Sequence, residues 1–144
     1  KWFNFKFEII YFYNVYGPRQ ICKGDMATVI GIFENCFKLN IALPVVQPGS
    51  QTRKFTYIGD TVKACLFAWK KNKCRHYSIS SRKNYTILKV AKLFSSKIKM
   101  LPARKGERYA SALTSMNLSN KVHKIFGKME IANYVENFKK SPKK

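Results

Sequence analysis

The feature that most constrains this chain is a repeated alternation. Short apolar, β-branched or aromatic runs alternate with segments of helical spacing, and Gly or Pro closes several of them. The first run, Phe7 to Tyr16, is aromatic and β-branched and stops at Gly17-Pro18, which predicts a buried strand ending in a loop. From Met26 to Leu39 the apolar residues Met26, Val29, Ile30, Phe33, Cys36 and Phe37 follow helical spacing. Ala42 to Val46 predicts a short strand closed by Pro48-Gly49, and Arg53 to Ile58 another. Asp60 is placed to cap a helix whose inner face is Val62, Cys65, Leu66 and Trp69.

Arg75 to Ser80 alternates as a strand, and Asn84 is placed to cap a helix with Ile87, Leu88, Ala91 and Phe94 inside. Met100-Leu101-Pro102 predicts an extended stretch, followed by the loop Arg104 to Arg108. Ser119 is placed to cap a helix carrying Val122, Ile125 and Phe126 that Gly127 ends, and a last helix puts Ile131, Tyr134, Val135 and Phe138 on one face. Alternating strands and helices give an α/β or α+β class.

Composition narrows the function. With 144 residues and 46% hydrophobic content the chain has material for one core. No apolar run approaches the roughly 20 residues of a membrane span, and charged residues interrupt the opening stretch, so it does not resemble a signal peptide. The chain opens on Lys1 directly into a hydrophobic run, which leads us to expect a segment before it. Cysteines 22, 36, 65 and 74 form no Cys-x-x-Cys pair and only two histidines are present, so no metal site is expected. A reducing, cytoplasmic setting is the simpler expectation.

The charge stands apart: 28 Lys and Arg against 7 Asp and Glu, net +21. Such a surface attracts polyanions, nucleic acid included. Yet 22 of these cations are lysines scattered along the chain, and only Lys139-Lys140-Ser141-Pro142-Lys143-Lys144 is a true basic run. Evenly spread lysine reads first as a solvated surface.

Five blocks carry a resemblance. Tyr13-Asn14-Val15-Tyr16-Gly17-Pro18-Arg19-Gln20 is similar to the Phe-Asn-Val-Tyr-Gly-Pro-Arg-Gln segment of extended short-chain dehydrogenases, the NAD-dependent epimerase/dehydratase family of UDP-galactose 4-epimerase and dTDP-glucose 4,6-dehydratase. Met26 to Ile30 resembles the family's next helix. Gly49 to Asp60 resembles its Gly-Ser-Gln-Thr-Arg-Asp-Phe-x-Tyr-Val-Asp-Asp stretch. Further on, Asn84 to Leu93 resembles a later helix, and Arg104-Lys105-Gly106-Glu107 resembles Arg-Pro-Gly-Glu. Their order is that of the family across nearly all of residues 9 to 130.

The resemblance implies an α/β chain: the C-terminal, substrate-binding part of an extended Rossmann-type enzyme, with the N-terminal dinucleotide-binding fold missing. Residues 1–138 would form the nucleotide-sugar domain and 139–144 a basic disordered tail. Asn14 would hydrogen-bond the diphosphate or sugar, unless it only pairs with loop backbone. Arg53 and Arg104 match the phosphate-holding arginines, since a planar guanidinium forks onto phosphate oxygens where lysine offers a point charge. Surface arginines are the plainer reading. Phe55 would pack near the nucleotide or serve as a core aromatic, and Glu107 would bind ribose or base hydroxyls or pair with Arg108 or Lys105.

The pattern also breaks. The family's Asp after the phosphate arginine is Lys54, the first of its Asp pair is Gly59, its later Asn and Gly are Ser78 and Ser80, and an arginine before the first motif is Tyr11. NAD binding needs a Gly-x-x-Gly-x-x-Gly turn, which is not in this sequence. A Tyr-x-x-x-Lys spacing occurs at Tyr85 and Lys89, but after the substrate motifs, where the family's catalytic pair lies before them. It is read as coincidence, with Tyr85 starting a helix.

The expected partners are therefore a nucleoside diphosphate sugar and a missing N-terminal half or partner chain, with no membrane. NAD is the cofactor of the intact family enzyme, itself a candidate homodimer, and is not expected to bind this chain alone. A basic, noncatalytic module for nucleic acid or another polyanion is the alternative.

Overall fold

In the computed structural model of the chain, the described residues are 3–73, 76–106 and 126–141. The first aromatic run is two strands, not one. β1 (Ile9–Phe12) and β2 (Val15–Tyr16) are separated where Asn14 takes a left-handed φ of 44°, a conformation asparagine tolerates better than most residues. β1 is only half-buried, with Phe12 exposed, so the expected buried strand is corrected there.

The remaining strands are β3 (Leu43–Val46), β4 (Thr52–Arg53), β5 (Thr56–Tyr57), β6 (His76–Ile79), β7 (Tyr85–Thr86) and β8 (Ile98–Leu101). The single strand expected over Arg53 to Ile58 is thus two short ones flanking Lys54-Phe55. Pairing is in twos: β1–β6, β2–β5 and β3–β8 are parallel, and β4–β7 is antiparallel. Parallel neighbours need crossovers, and the helices supply them. α1 (Val29–Lys38) lies between β2 and β5 in sequence, α2 (Ile58–Lys71) between β1 and β6, and α3 (Ile87–Phe94) between β3 and β8. The Thr56 hydroxyl, 2.9 Å from the Tyr13 carbonyl and 3.3 Å from that of Ile79, ties β5 to the β1–β6 pair.

The helix starts differ from expectation for local reasons. α1 begins at Val29 because Thr28 caps it, its Oγ1 accepting from the Gly31 N–H at 3.0 Å, which leaves Met26 outside the helix and exposed. Gly31 is required by closeness: a Cβ there would lie 2.4 Å from the Ile21 carbonyl oxygen. Thr86, not Asn84, caps α3, with Oγ1 accepting from the Lys89 N–H at 3.1 Å. α3 buries Val90, Ala91 and Phe94, while Ile87 and Leu88 pack partly buried at the core's edge.

α2 is the main correction. It starts at Ile58, so Asp60 lies inside its first turn rather than capping it, and its carboxylate accepts from the Met129 N–H at 3.1 Å. Its buried face is Asp60, Thr61, Ala64 and Ala68; Val62 and Leu66 are half exposed and Trp69 is 72% exposed. Small alanines let the helix lie close on Tyr77 and Ile79 of β6.

The last helix, here α4 (Ile131–Lys140), has the expected face: Ile131 and Val135 are buried, and Tyr134 and Phe138 pack on the core. It runs through Lys139 and Lys140, which were expected to open a disordered tail. Its aromatics join those of α1 and α3, with Phe94 at 6.0 Å from both Phe33 and Phe138. The helix expected from Ser119, with Val122 and Ile125, lies outside the described residues.

Candidate functional site

A cleft of about 260 Å³ opens where the ends of the β3–β8 and β4–β7 pairs meet the starts of α1 and α3. The turn after β3 shapes it, with a cis Gln47-Pro48 bond and Gly49 at φ 77°. Its walls are apolar, among them Val29, Ile32, Val46, Ile87 and Leu101; its polar lining is Asn14, Gln51, Arg53 and Arg104. Among the described residues no carboxylate lines it.

Three of the five residues singled out by sequence meet here. Asn14 reaches the cleft from the left-handed corner between β1 and β2, where its Nδ2 donates to the Lys54 carbonyl at 3.0 Å. Asn14 thus pairs with loop backbone, as its plainer reading had it, and lines the cleft as well. Arg53 is half-buried on β4, opposite Tyr85, and its guanidinium donates to the Thr52 carbonyl at 2.8 Å. Arg104 follows β8 and is exposed.

Phe55 does not join them. At 2% exposure it is a core residue, its ring edge-on to Tyr16 with centroids 6.4 Å apart. It packs in the core, which was its other reading. Glu107 lies outside the described residues.

Sequence reasoning did not single out Gln51. It is 1% exposed, its Nε2 donates to the carbonyls of Val46 at 3.1 Å and Gln47 at 3.4 Å, and its Oε1 is buried with no partner among the described residues. A glutamine beside Gly49-Ser50 looks like an ordinary turn residue, so the only signal was its place inside the Gly-Ser-Gln-Thr-Arg block.

The Tyr85–Lys89 pair has no catalytic poise. Tyr85 is buried in β7, its hydroxyl donates to Glu130 at 3.1 Å, and Lys89 Nζ lies 5.6 Å above its ring. Burial, then the Glu130 carboxylate, push its hydroxyl pKa up, whereas a proton-transfer tyrosine needs it lowered. A second opening, of about 420 Å³, surrounds Glu34, whose Oε1 accepts from Gln20 at 2.8 Å and from the Tyr134 hydroxyl at 2.7 Å.

Among the described residues, no group of His, Cys, Asp or Glu could hold a metal, and no helix is long and apolar enough to cross a membrane. Cys22, Cys36 and Cys65 are free. A dinucleotide cradle needs a glycine turn that leaves a helix N-terminus open. Thr28 and Thr86 close the starts of α1 and α3, and a Cβ at Gly59 of α2 would lie 2.7 Å from the Tyr57 ring.

Fold and cleft together give an α/β unit whose cleft has apolar walls and two arginines in its lining. Comparison with known proteins gives it a family. The model of the NAD dependent epimerase/dehydratase family matches residues 1–80. A putative UDP-glucose 4-epimerase of Methanocaldococcus jannaschii is 41% identical over 70 residues, covering 47% of this chain and 23% of the relative. A UDP-glucose 4-epimerase of Thermotoga maritima, solved with UDP-glucose, superposes with a TM-score of 0.76 at 25% identity, over 92% of this chain and 46% of that one. A dTDP-glucose 4,6-dehydratase of Streptomyces venezuelae, solved with NAD, superposes at 0.70 and 17% identity, over 93% and 44%.

The chain belongs to the NAD-dependent epimerase/dehydratase family, as its motif blocks implied. The fold is that of part of an extended Rossmann-type short-chain dehydrogenase, and the chain spans under half the length of these solved relatives and about a quarter of the curated one.

Proposed function

We propose that this chain is the nucleotide-sugar grip of an NAD-dependent epimerase or dehydratase, taking a UDP- or dTDP-sugar. The observation that carries this reading is the meeting of Asn14, Arg53 and Arg104, far apart in sequence, around one cleft. Arg53 and Arg104 hold the diphosphate, Asn14 bonds the diphosphate or sugar, and the apolar wall takes the base. Glu107 bonds ribose or base hydroxyls. Two guanidinium groups suit two phosphates, because forked charge-assisted bonds add geometry to attraction.

The redox step is left to a dinucleotide-binding half, supplied by preceding chain or by a partner chain, in a cytoplasmic enzyme that acts as a homodimer. On this reading the present residues bind substrate and do not turn it over alone. The net charge of +21 favours a second reading, a basic module for nucleic acid or another polyanion.

Isothermal titration of the chain with UDP-glucose, dTDP-glucose, pyrophosphate and a single-stranded oligonucleotide, each at two salt concentrations, separates the two. The grip reading expects the nucleotide sugars to bind more tightly than pyrophosphate, with a shallow salt dependence. Preference for the oligonucleotide, falling steeply with salt, supports the polyanion reading instead.

A further inference from the structure

The unpaired oxygen of Gln51 has chemistry to offer a ligand. The two carbonyls of Val46 and Gln47 both claim its Nε2, which settles the orientation of the amide and leaves Oε1 as the free end. The backbone around it is held as well, since the Gln51 carbonyl accepts from the Ile87 N–H at 3.0 Å. Gln51 is thereby braced between the end of β3 and the start of α3. The residues it bonds, Val46 and Ile87, belong to the apolar wall of the cleft.

A buried acceptor without a donor is costly, and such groups are rare in folded proteins. What reaches this one must bring a hydrogen. Phosphate oxygens bring none at neutral pH. Sugar hydroxyls do, but a pyranose carries polar groups around its whole ring and would set several of them against Val29, Ile32, Val46, Ile87 and Leu101. A flat ring with an N–H in its plane meets both conditions: its faces rest on the aliphatic walls and its edge donates.

We propose that Gln51 Oε1 accepts the N3–H of a uracil or thymine ring and so makes the cleft selective for UDP and dTDP over CDP. Cytosine presents a lone pair at the same position, which sets acceptor against acceptor. Discrimination by a buried hydrogen-bonding group exceeds what apolar contact achieves, because the wrong ligand leaves that group unpaired. The proposal rests on the nucleotide reading of the cleft and adds to it the residue that reads the base.

The test uses the full chain and three probes: UDP, CDP and UDP methylated at N3, titrated calorimetrically against the wild type and Gln51→Met. The wild type is expected to bind UDP at least about tenfold more tightly than either analogue. In Gln51→Met the three affinities should converge to within about threefold, through loss of UDP affinity. A wild type that binds UDP and its N3-methyl analogue equally overturns the role of Gln51 and leaves the cleft reading standing, and needs no variant to fold. Equal weakening of all three ligands in Gln51→Met makes the residue a brace for the turn and overturns the recognition role too. Absence of UDP binding by the wild type removes the nucleotide reading itself, and this proposal with it.

Discussion

Arg53 and Arg104 line one cleft from different settings, and the difference predicts unequal losses. Arg53 is half-buried, held in a strand pair with Tyr85 and bonded to the Thr52 carbonyl, so its guanidinium is placed before any ligand arrives. Arg104 is exposed and follows β8 into a loop. A charge-assisted hydrogen bond from a preorganised group contributes about 1.5–3 kcal/mol, and an exposed pair about 0.2–1.

Arg53→Met should therefore weaken UDP binding about 10- to 150-fold, and Arg104→Met less than about sixfold. Arg53→Lys keeps the charge but loses the fork, and should fall between wild type and Arg53→Met. Calorimetric titration at one fixed salt concentration reads the affinities, with a thermal melt of each variant to confirm folding. A folded Arg53→Met that binds UDP like the wild type, or that loses less than Arg104→Met, refutes the reasoning from placement.

The core and the helix faces make three further predictions. Phe94→Ala removes a ring packed against Phe33, Phe37 and Phe138 and should cost about 3–5 kcal/mol, lowering the melting temperature by roughly 6–20 °C. Trp69→Ala, on the exposed face of α2, should stay within about 0.5 kcal/mol of the parent in the isolated chain, whereas Ala64→Leu should cost about 1–3 kcal/mol by overpacking against β6. Burial raises the Glu34 carboxyl pKa above its ordinary value despite bonds from Tyr134 and Gln20, so the folded state holds that proton more tightly than the unfolded chain. Its contribution to stability is present below the ordinary glutamate pKa and is lost as pH rises through the raised folded value. Glu34→Gln keeps the acceptor without the charge; it should melt higher than the parent at neutral pH, with the gap closing near about pH 4.

What the residues disclosed in advance follows physical lines. α4 was legible because its large apolar residues, Ile131, Tyr134, Val135 and Phe138, are also the ones that pack. α2 was misread because size and burial part company: pattern reasoning followed Val62, Leu66 and Trp69, while Ala64 and Ala68 make the close approach to β6. The break at Asn14 left no periodic trace, since one left-handed residue divides a run without changing its composition.

In the site, Arg53, Arg104 and Asn14 were found through motif blocks that carry charge or a special backbone position. Phe55 shows the limit of transfer by motif: the block matches, yet the side chain belongs to the core. Gln51 escaped notice because an amide in a turn has many ordinary uses. Only the fold shows that one of its ends is spoken for and that the other has no partner among the described residues.

The central claim is that the cleft between β3, β4 and α3 receives a nucleoside diphosphate sugar. The most direct measurement is a ¹⁵N-correlation titration of the labelled chain with UDP-glucose, mapping which amides move. Shifts concentrated at Asn14, Val46, Gln51, Arg53, Ile87 and Leu101, saturating together, are the predicted result. Saturating shifts spread over the lysine-bearing faces of α2 and α4, with the cleft amides unmoved, would contradict it.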